Sequence, residues 1–165
     1  MASDAPIVVV QVPVLLWRRV TRDLRRRGLG RQESGAFLLG RQGGARACAT
    51  AYVCYDDLDP HAYQSGGIAF HAEGYAAFWQ HCREKNLQLL ADVHTHPGAW
   101  VDQSPTDQQN PMVPVVGHTA LIVPNFGRTP WWSLKGVGVY EYLGEFKWRS
   151  HLASDGGRRV VLTLW

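Results

Sequence analysis

With 165 residues, 45% of them apolar and 19% charged, the chain is long enough for one well-buried core and too short for two typical domains, so a single domain over 1–165 is expected. Its three cysteines, Cys48, Cys54 and Cys82, are an odd number without C-x-x-C spacing, which argues against a disulfide framework or a cysteine-only zinc site. They are expected to be buried free thiols, and the cytosol is the natural compartment.

Ala5 to Trp17 is nearly apolar but begins beside Asp4 rather than a basic cluster, is interrupted by Gln11 and Pro13, and lacks a small-residue cleavage site. It fits neither a signal peptide nor a bilayer span, which needs roughly 20 apolar residues. Ile7 to Val12 is predicted to be a buried strand. A helix follows over Val14 to Arg27, where Leu16, Val20 and Leu24 form one apolar stripe and Gly28 and Gly30 end it. Its other faces carry Arg18, Arg19, Arg22, Arg25, Arg26 and Arg27, much of the net charge of +3. A nucleic acid or an acidic protein partner could use this patch, but a solvated face with arginines complementing the helix dipole is the preferred reading.

Strands are predicted over Ala36 to Arg41 and Ala45 to Tyr55, joined by a hairpin turn at Gln42-Gly43-Gly44. Asp56 to Gly67 is loop-like, and Asp56, Asp57 and Asp59 lack calcium-loop spacing, so they are expected to be turn formers. A helix over Ala72 to Lys85 brings Tyr75, Phe78, Trp79 and Cys82 to one side, where the aromatics should be core. Residues 87–93 then form a strand leading into His94. Further strands are expected at His118 to Pro124, at Val137 to Tyr142 with Phe146 to His151 as a hairpin, and at Val160 to Leu164 after a turn at Ser154-Asp155-Gly156-Gly157. Asn125-Phe126-Gly127 reads as a turn. The loop tryptophans Trp100, Trp131 and Trp132 either pack beneath long loops or wall a protein-docking cleft.

The stretch from His94 to Asp107 carries the chemistry. Alternate residues of a strand share a face, so His94 and His96 aim at one point before Pro97 and Gly98 stop the strand. Ser104-Pro105-Thr106-Asp107 has the form of a helix start: a Ser cap, Pro at the first helical position and an acid three residues after the cap. Such a start can return Asp107 to the histidines. Three His and carboxylate ligands that leave one position free make a catalytic zinc site, whereas a structural site closes with four. Two other metal architectures fit less well: an amidohydrolase barrel takes about 250 residues, and His71-Ala72-Glu73 lacks the P-C-x-x-C of a nucleobase deaminase, which leaves His71 a structural role.

The joint pattern H-x-H, seven residues, then S-x-x-D resembles the signature of the JAMM metalloproteases, the active branch of the MPN-domain family. Glu33-Ser34-Gly35-Ala36-Phe37-Leu38-Leu39-Gly40 is similar to the upstream glutamate-and-strand segment of that family, with Ala36 where glycine is frequent. The resemblance implies a three-layer α/β/α fold with a mixed central sheet, in which the glutamate and the histidine strand meet at one sheet edge. It implies one catalytic Zn2+ held by His94, His96 and Asp107, Glu33 as general base, and Ser104 as a hydroxyl assisting at the water or the oxyanion. The implied reaction is cleavage after the C-terminal glycine of a ubiquitin-like protein, as deconjugation or precursor processing. The extended tail of that substrate is expected to add as a strand to a sheet edge. The resemblance further implies conjugating or activating enzymes of the same pathway as partners, possible membership of a bacterial antiphage system, and no membrane. The alternatives are sulfur-carrier-protein processing, a non-catalytic MPN scaffold, and a nucleic-acid-associated member using the arginine helix.

Overall fold

The computed structural model describes residues 8–151 and 159–165. The described residues form an eight-stranded mixed sheet and four helices. In chain order they are β1 (Val9–Pro13), α1 (Val14–Gly28), β2 (Gly35–Gly43), β3 (Arg46–Cys54), α2 (Tyr55–Leu58), α3 (Ala72–Lys85), β4 (Gln88–Thr95), α4 (Pro105–Gln109), β5 (Thr119–Val123), β6 (Gly138–Gly144), β7 (Lys147–Ser150) and β8 (Val160–Thr163). The sheet order is β7-β6-β5-β4-β2-β3-β1-β8. Strand β4 is antiparallel to β2 and parallel to β5.

Strand alternation divides the core between the two faces of the sheet. Ala36 and Leu38 of β2, with Ala91 and Val93 of β4, face the stripe Leu16, Val20 and Leu24 of α1, now joined by fully buried Trp17. On the other face, Phe37 and Leu39 meet Phe78 and Cys82 of α3. Helices α1 and α3 therefore cover opposite faces. A second apolar cluster on the α3 side, Ala120, Ile122 and Tyr140, packs with Val101. Between these clusters β4 presents Asp92 and His94, so a polar strip crosses an otherwise apolar face.

Several local expectations shift. Helix α1 ends with Leu29, not a glycine, in the left-handed conformation at φ 52°, its N–H donating to Arg25 O. The first hairpin turns at Gly44-Ala45, so β2 runs on to Gly43. Tyr55 leaves the strand to open α2, because the aspartates that follow suit a helical first turn. Asp56 and Asp57 also clamp Arg27 at 2.5 and 2.9 Å, which removes Arg27 from the solvated arginine face. Helix α3 has the predicted bounds, but Trp79 is 46% exposed and not core. Cys54 and Cys82 are buried free thiols, whereas Cys48, on an outward-facing position of β3, is exposed. The predicted start of the first strand at Ile7 and the turn at 154–157 lie outside the described residues. No described helix is long and apolar enough to cross a membrane.

Candidate metal centre

His94 lies near the end of β4 and His96 just past it, on the face that also carries Asp92. Between them Thr95 points to the other face; its N–H donates across the β2–β4 ladder to Ser34 O at 2.9 Å, and its hydroxyl accepts from Ser34 N at 3.0 Å. The His96 N–H donates to Val123 O (2.9 Å) and its carbonyl accepts from Phe126 N (2.8 Å). The histidine strand is thus fixed on both flanks, by the start of β2 and the end of β5.

Asp107 arrives from α4. Ser104 caps that helix with the reciprocal pair foreseen from sequence: its Oγ accepts from Asp107 N (3.1 Å), and the Asp107 carboxylate accepts from Ser104 N (2.7 Å). The Ser104 hydroxyl also donates to Asp107 Oδ2 at 2.7 Å. Its one proton therefore orients the carboxylate in this arrangement.

The three side chains converge. His94 Nε2 and His96 Nε2 are 3.2 Å apart, and Asp107 lies 3.5 Å from the first through Oδ1 and 3.3 Å from the second through Oδ2. A tetrahedral ion with bonds of ~2.0–2.2 Å separates its donors by roughly 3.3–3.6 Å, so these spacings fit one small divalent cation. Among the described residues this is the only group of three or more His, Cys, Asp or Glu side chains with donor atoms within 4.8 Å of one another. The His96 Nδ1 faces Trp100 O at 3.2 Å. Donation to that carbonyl fixes the tautomer with the Nε2 lone pair toward the centre.

Glu33 stands two residues before Gly35, which is paired with His94 across the β2–β4 ladder. Continuing that register sets Glu33 across from His96, and its carboxyl responds to His94, His96 and Asp107. Burial pushes the Glu33 carboxyl above the usual range; the two histidines oppose this and Asp107 adds to it. For Asp107, burial works upward, but the His96 contact, His94 and the Ser104 hydrogen bonds hold it well below an ordinary aspartate. His96 is raised: burial acts downward and is outweighed by Asp107, Glu33 and the Trp100 carbonyl. The cluster therefore favours an ionised Asp107 carboxylate beside a less readily ionised Glu33.

The place of the site in the sheet differs from the edge position expected from resemblance. Strands β2 and β4 are the two central strands, so Glu33 and the histidines meet at strand ends in the middle of the sheet. The outer strands β7 and β8 are three and four places from β4, on the order of 14 Å or more at ~4.8 Å per strand. Of the loop tryptophans, Trp100 touches the site, with its ring 5.7 Å from that of His96. Trp131 instead lies under the Arg18 guanidinium of α1 at 4.9 Å, with Trp132 edge-on to it.

Some supporting residues were not foreseen. Asp92 receives His118 Nε2 at 2.6 Å and the Tyr55 hydroxyl at 3.4 Å, all buried beneath the site. An acid inside the apolar run 87–93 was the available signal. The Tyr63 hydroxyl accepts from Gly35 N and donates to Gly35 O, at 3.0 and 3.1 Å, replacing β3 where that strand has ended. His71 stands at the N-cap position of α3 without a side-chain cap hydrogen bond, and its N–H and Nδ1 instead meet the Asp59 carboxylate at 2.8 and 2.6 Å.

No protein-family model matches the chain. Over 80 residues it is 30% identical to a protein of Sinorhizobium fredii described as "Probable metalloprotease y4jG", the alignment covering 48% of each chain. The chain thus spans about half the length of the curated relative it matches. Among solved structures it is similar to protein DSY2949 of Desulfitobacterium hafniense (TM-score 0.66, 14% identity, 94% and 93% of the two chains covered). It is also similar to a Salinibacter ruber protein (TM-score 0.57, 16% identity, 87% and 88% covered). These two likenesses establish a shared mixed α/β fold. The fold by itself carries no function.

Proposed function

We propose that this protein is a zinc-dependent metalloprotease of the JAMM type, built on a three-layer MPN domain. Its proposed reaction is hydrolysis of the bond after the C-terminal glycine of a ubiquitin-like protein. The observation that carries the reading is the convergence of His94, His96 and Asp107 to mutual distances of 3.2–3.5 Å beside Glu33, with sequence spacing that matches the JAMM pattern. The partial likeness to a probable metalloprotease supports the hydrolytic class.

A zinc ion held by His94, His96 and Asp107 would supply Lewis acidity and make water a usable nucleophile near neutral pH. Glu33 takes the proton of the attacking water and returns it to the leaving amine. The Ser104 hydroxyl orients Asp107 and, on rotating away from Oδ2, donates to the oxyanion. No side-chain nucleophile is required.

A tail ending in Gly-Gly suits this site, because only glycines let a backbone come this close to recessed ligands such as His96. The central position of the site argues against tail binding by strand addition at β7 or β8. In this reading the tail lies instead over the His94, His96 and Asp107 cluster, beside the 97–104 loop.

The deciding experiment incubates purified, zinc-loaded protein with ubiquitin-like proteins encoded near its gene, each fused or conjugated through its terminal glycine, and follows cleavage by mass spectrometry. Cleavage after that glycine is expected, and it should be lost when the penultimate glycine is replaced by a bulkier residue. Sulfur-carrier precursors form one arm of the same assay, as the related alternative. If no fusion is cut while the protein binds nucleic acid with a steep salt dependence that Arg22, Arg25 and Arg26 substitutions abolish, the arginine face of α1 is the functional surface and the protease reading fails.

A further inference from the structure

Among the described residues, Trp100 is the tryptophan whose ring stacks on a side chain of the metal centre, and its situation is unusual for a packing residue. Trp100 is 56% exposed while His96 beside it is buried, 4% exposed. The rings lie 5.7 Å apart and 28° from parallel, an offset stack that leaves much of the indole open to solvent. An indole added only to fill a core would be inside.

The exposed ring is nevertheless tethered. Its Nε1 donates to Asp102 Oδ2 at 2.8 Å, and its own carbonyl receives His96 Nδ1. Around it, Gly98 O accepts from Asn125 N at 2.9 Å and Val101 O accepts from the Tyr140 hydroxyl at 2.8 Å. The 97–104 loop is thus tied to the end of β5 and to β6. A rigid aromatic plane has lost its conformational entropy before any ligand arrives, and an exposed one gains apolar burial when a ligand covers it.

We propose that the open face of Trp100 is the wall against which the last residues of the substrate lie, and that it determines specificity for an extended backbone without side chains. A peptide plane can stack flat on an indole at van der Waals distance, whereas a β-carbon pointing to that wall would lift the backbone away from the metal ligands. The inference rests on the protease reading and refines it. Trp100 would act by binding and orienting, with no part in proton transfer.

The test uses two synthetic isopeptides, one with Gly-Gly and one with Ala-Gly joined to the ε-amine of lysine, and compares wild type with Trp100→Ala and Trp100→Phe. For Trp100→Ala we expect bound zinc unchanged, KM for the Gly-Gly probe raised about tenfold with kcat within about threefold, and weaker preference for Gly-Gly over Ala-Gly. Trp100→Phe should restore most of both. A shield for His96 would behave otherwise: loss of zinc in Trp100→Ala with unchanged KM in the metal-saturated variant overturns the proposal. Unchanged KM and unchanged preference with zinc retained also overturn it and leave the protease reading standing. Wild-type protein that cleaves neither these probes nor any fusion sinks both.

Discussion

The ring of Tyr55 fills the space beneath Gly35, so that a β-carbon at Gly35 would collide with Cε2 and Cδ2 of that ring. Gly35 is paired with His94 and lies two residues after Glu33, so this close packing bears on the strand end that carries the glutamate toward the His94, His96 and Asp107 cluster. Gly35→Ala is expected to destabilise the fold by about 1–3 kcal/mol, the usual cost of overpacking, measured by urea denaturation. If the variant is as stable as wild type, the packing of Tyr55 is not what fixes this end of β2.

The convergence of His94, His96 and Asp107 predicts about one zinc per chain after purification without chelator. Elemental analysis should show that zinc falling sharply in His94→Ala, His96→Ala and Asp107→Ala. A metal content near zero in the wild type, unchanged in the His94→Ala/His96→Ala double variant, contradicts the site. Chelation should lower the melting temperature, because an ion bound only by the native state stabilises it by mass action.

Glu33 and Ser104 should separate under mutation. Glu33→Gln keeps the metal and loses about 10²–10⁴-fold in kcat, the range for a missing general base. Ser104→Ala should lose about 10²–10³-fold, as for one oxyanion donor. Because Ser104 also holds the Asp107 carboxylate, this second variant should in addition bind zinc less tightly, which competition with a chelator can measure. Wild-type turnover in Glu33→Gln would remove Glu33 from the mechanism.

Away from the site, Asp59 gives a pH dependence of stability with a definite sign. Burial alone would raise its carboxyl, but the hydrogen bonds from His71 and His61 hold it below the ordinary value of 3.8. A carboxyl depressed in the folded state contributes stability that is present above its unfolded value and is lost as pH falls through the folded one. Thermal melts from about pH 5 downward should therefore show an acid decline that is shallower in Asp59→Asn. Equal slopes in the two proteins would assign the decline to other carboxylates.

What was legible in the sequence was local. The apolar stripe Leu16, Val20, Leu24 repeats at helical period and did form the buried face of α1. The Ser104-Pro105-Thr106-Asp107 start closed as a capping box, and the bounds of α3 were as read, because these depend on residues within one turn of each other. The two histidines converge for the same reason, since strand alternation alone puts i and i+2 on one face.

What only the tertiary structure decided depends on chain segments far apart in sequence. Whether Glu33 lies beside His94 is a matter of which strand pairs with β4, and the separation of 59 positions between Gly35 and His94 holds no local signal for it. Exposure of Trp79 and Cys48, and the capture of Arg27 by Asp56 and Asp57, likewise follow from what packs opposite each residue. The same holds for the central placement of the site: periodicity identifies a strand and its buried face, but its neighbours are chosen by the packing of the whole sheet against α1 and α3.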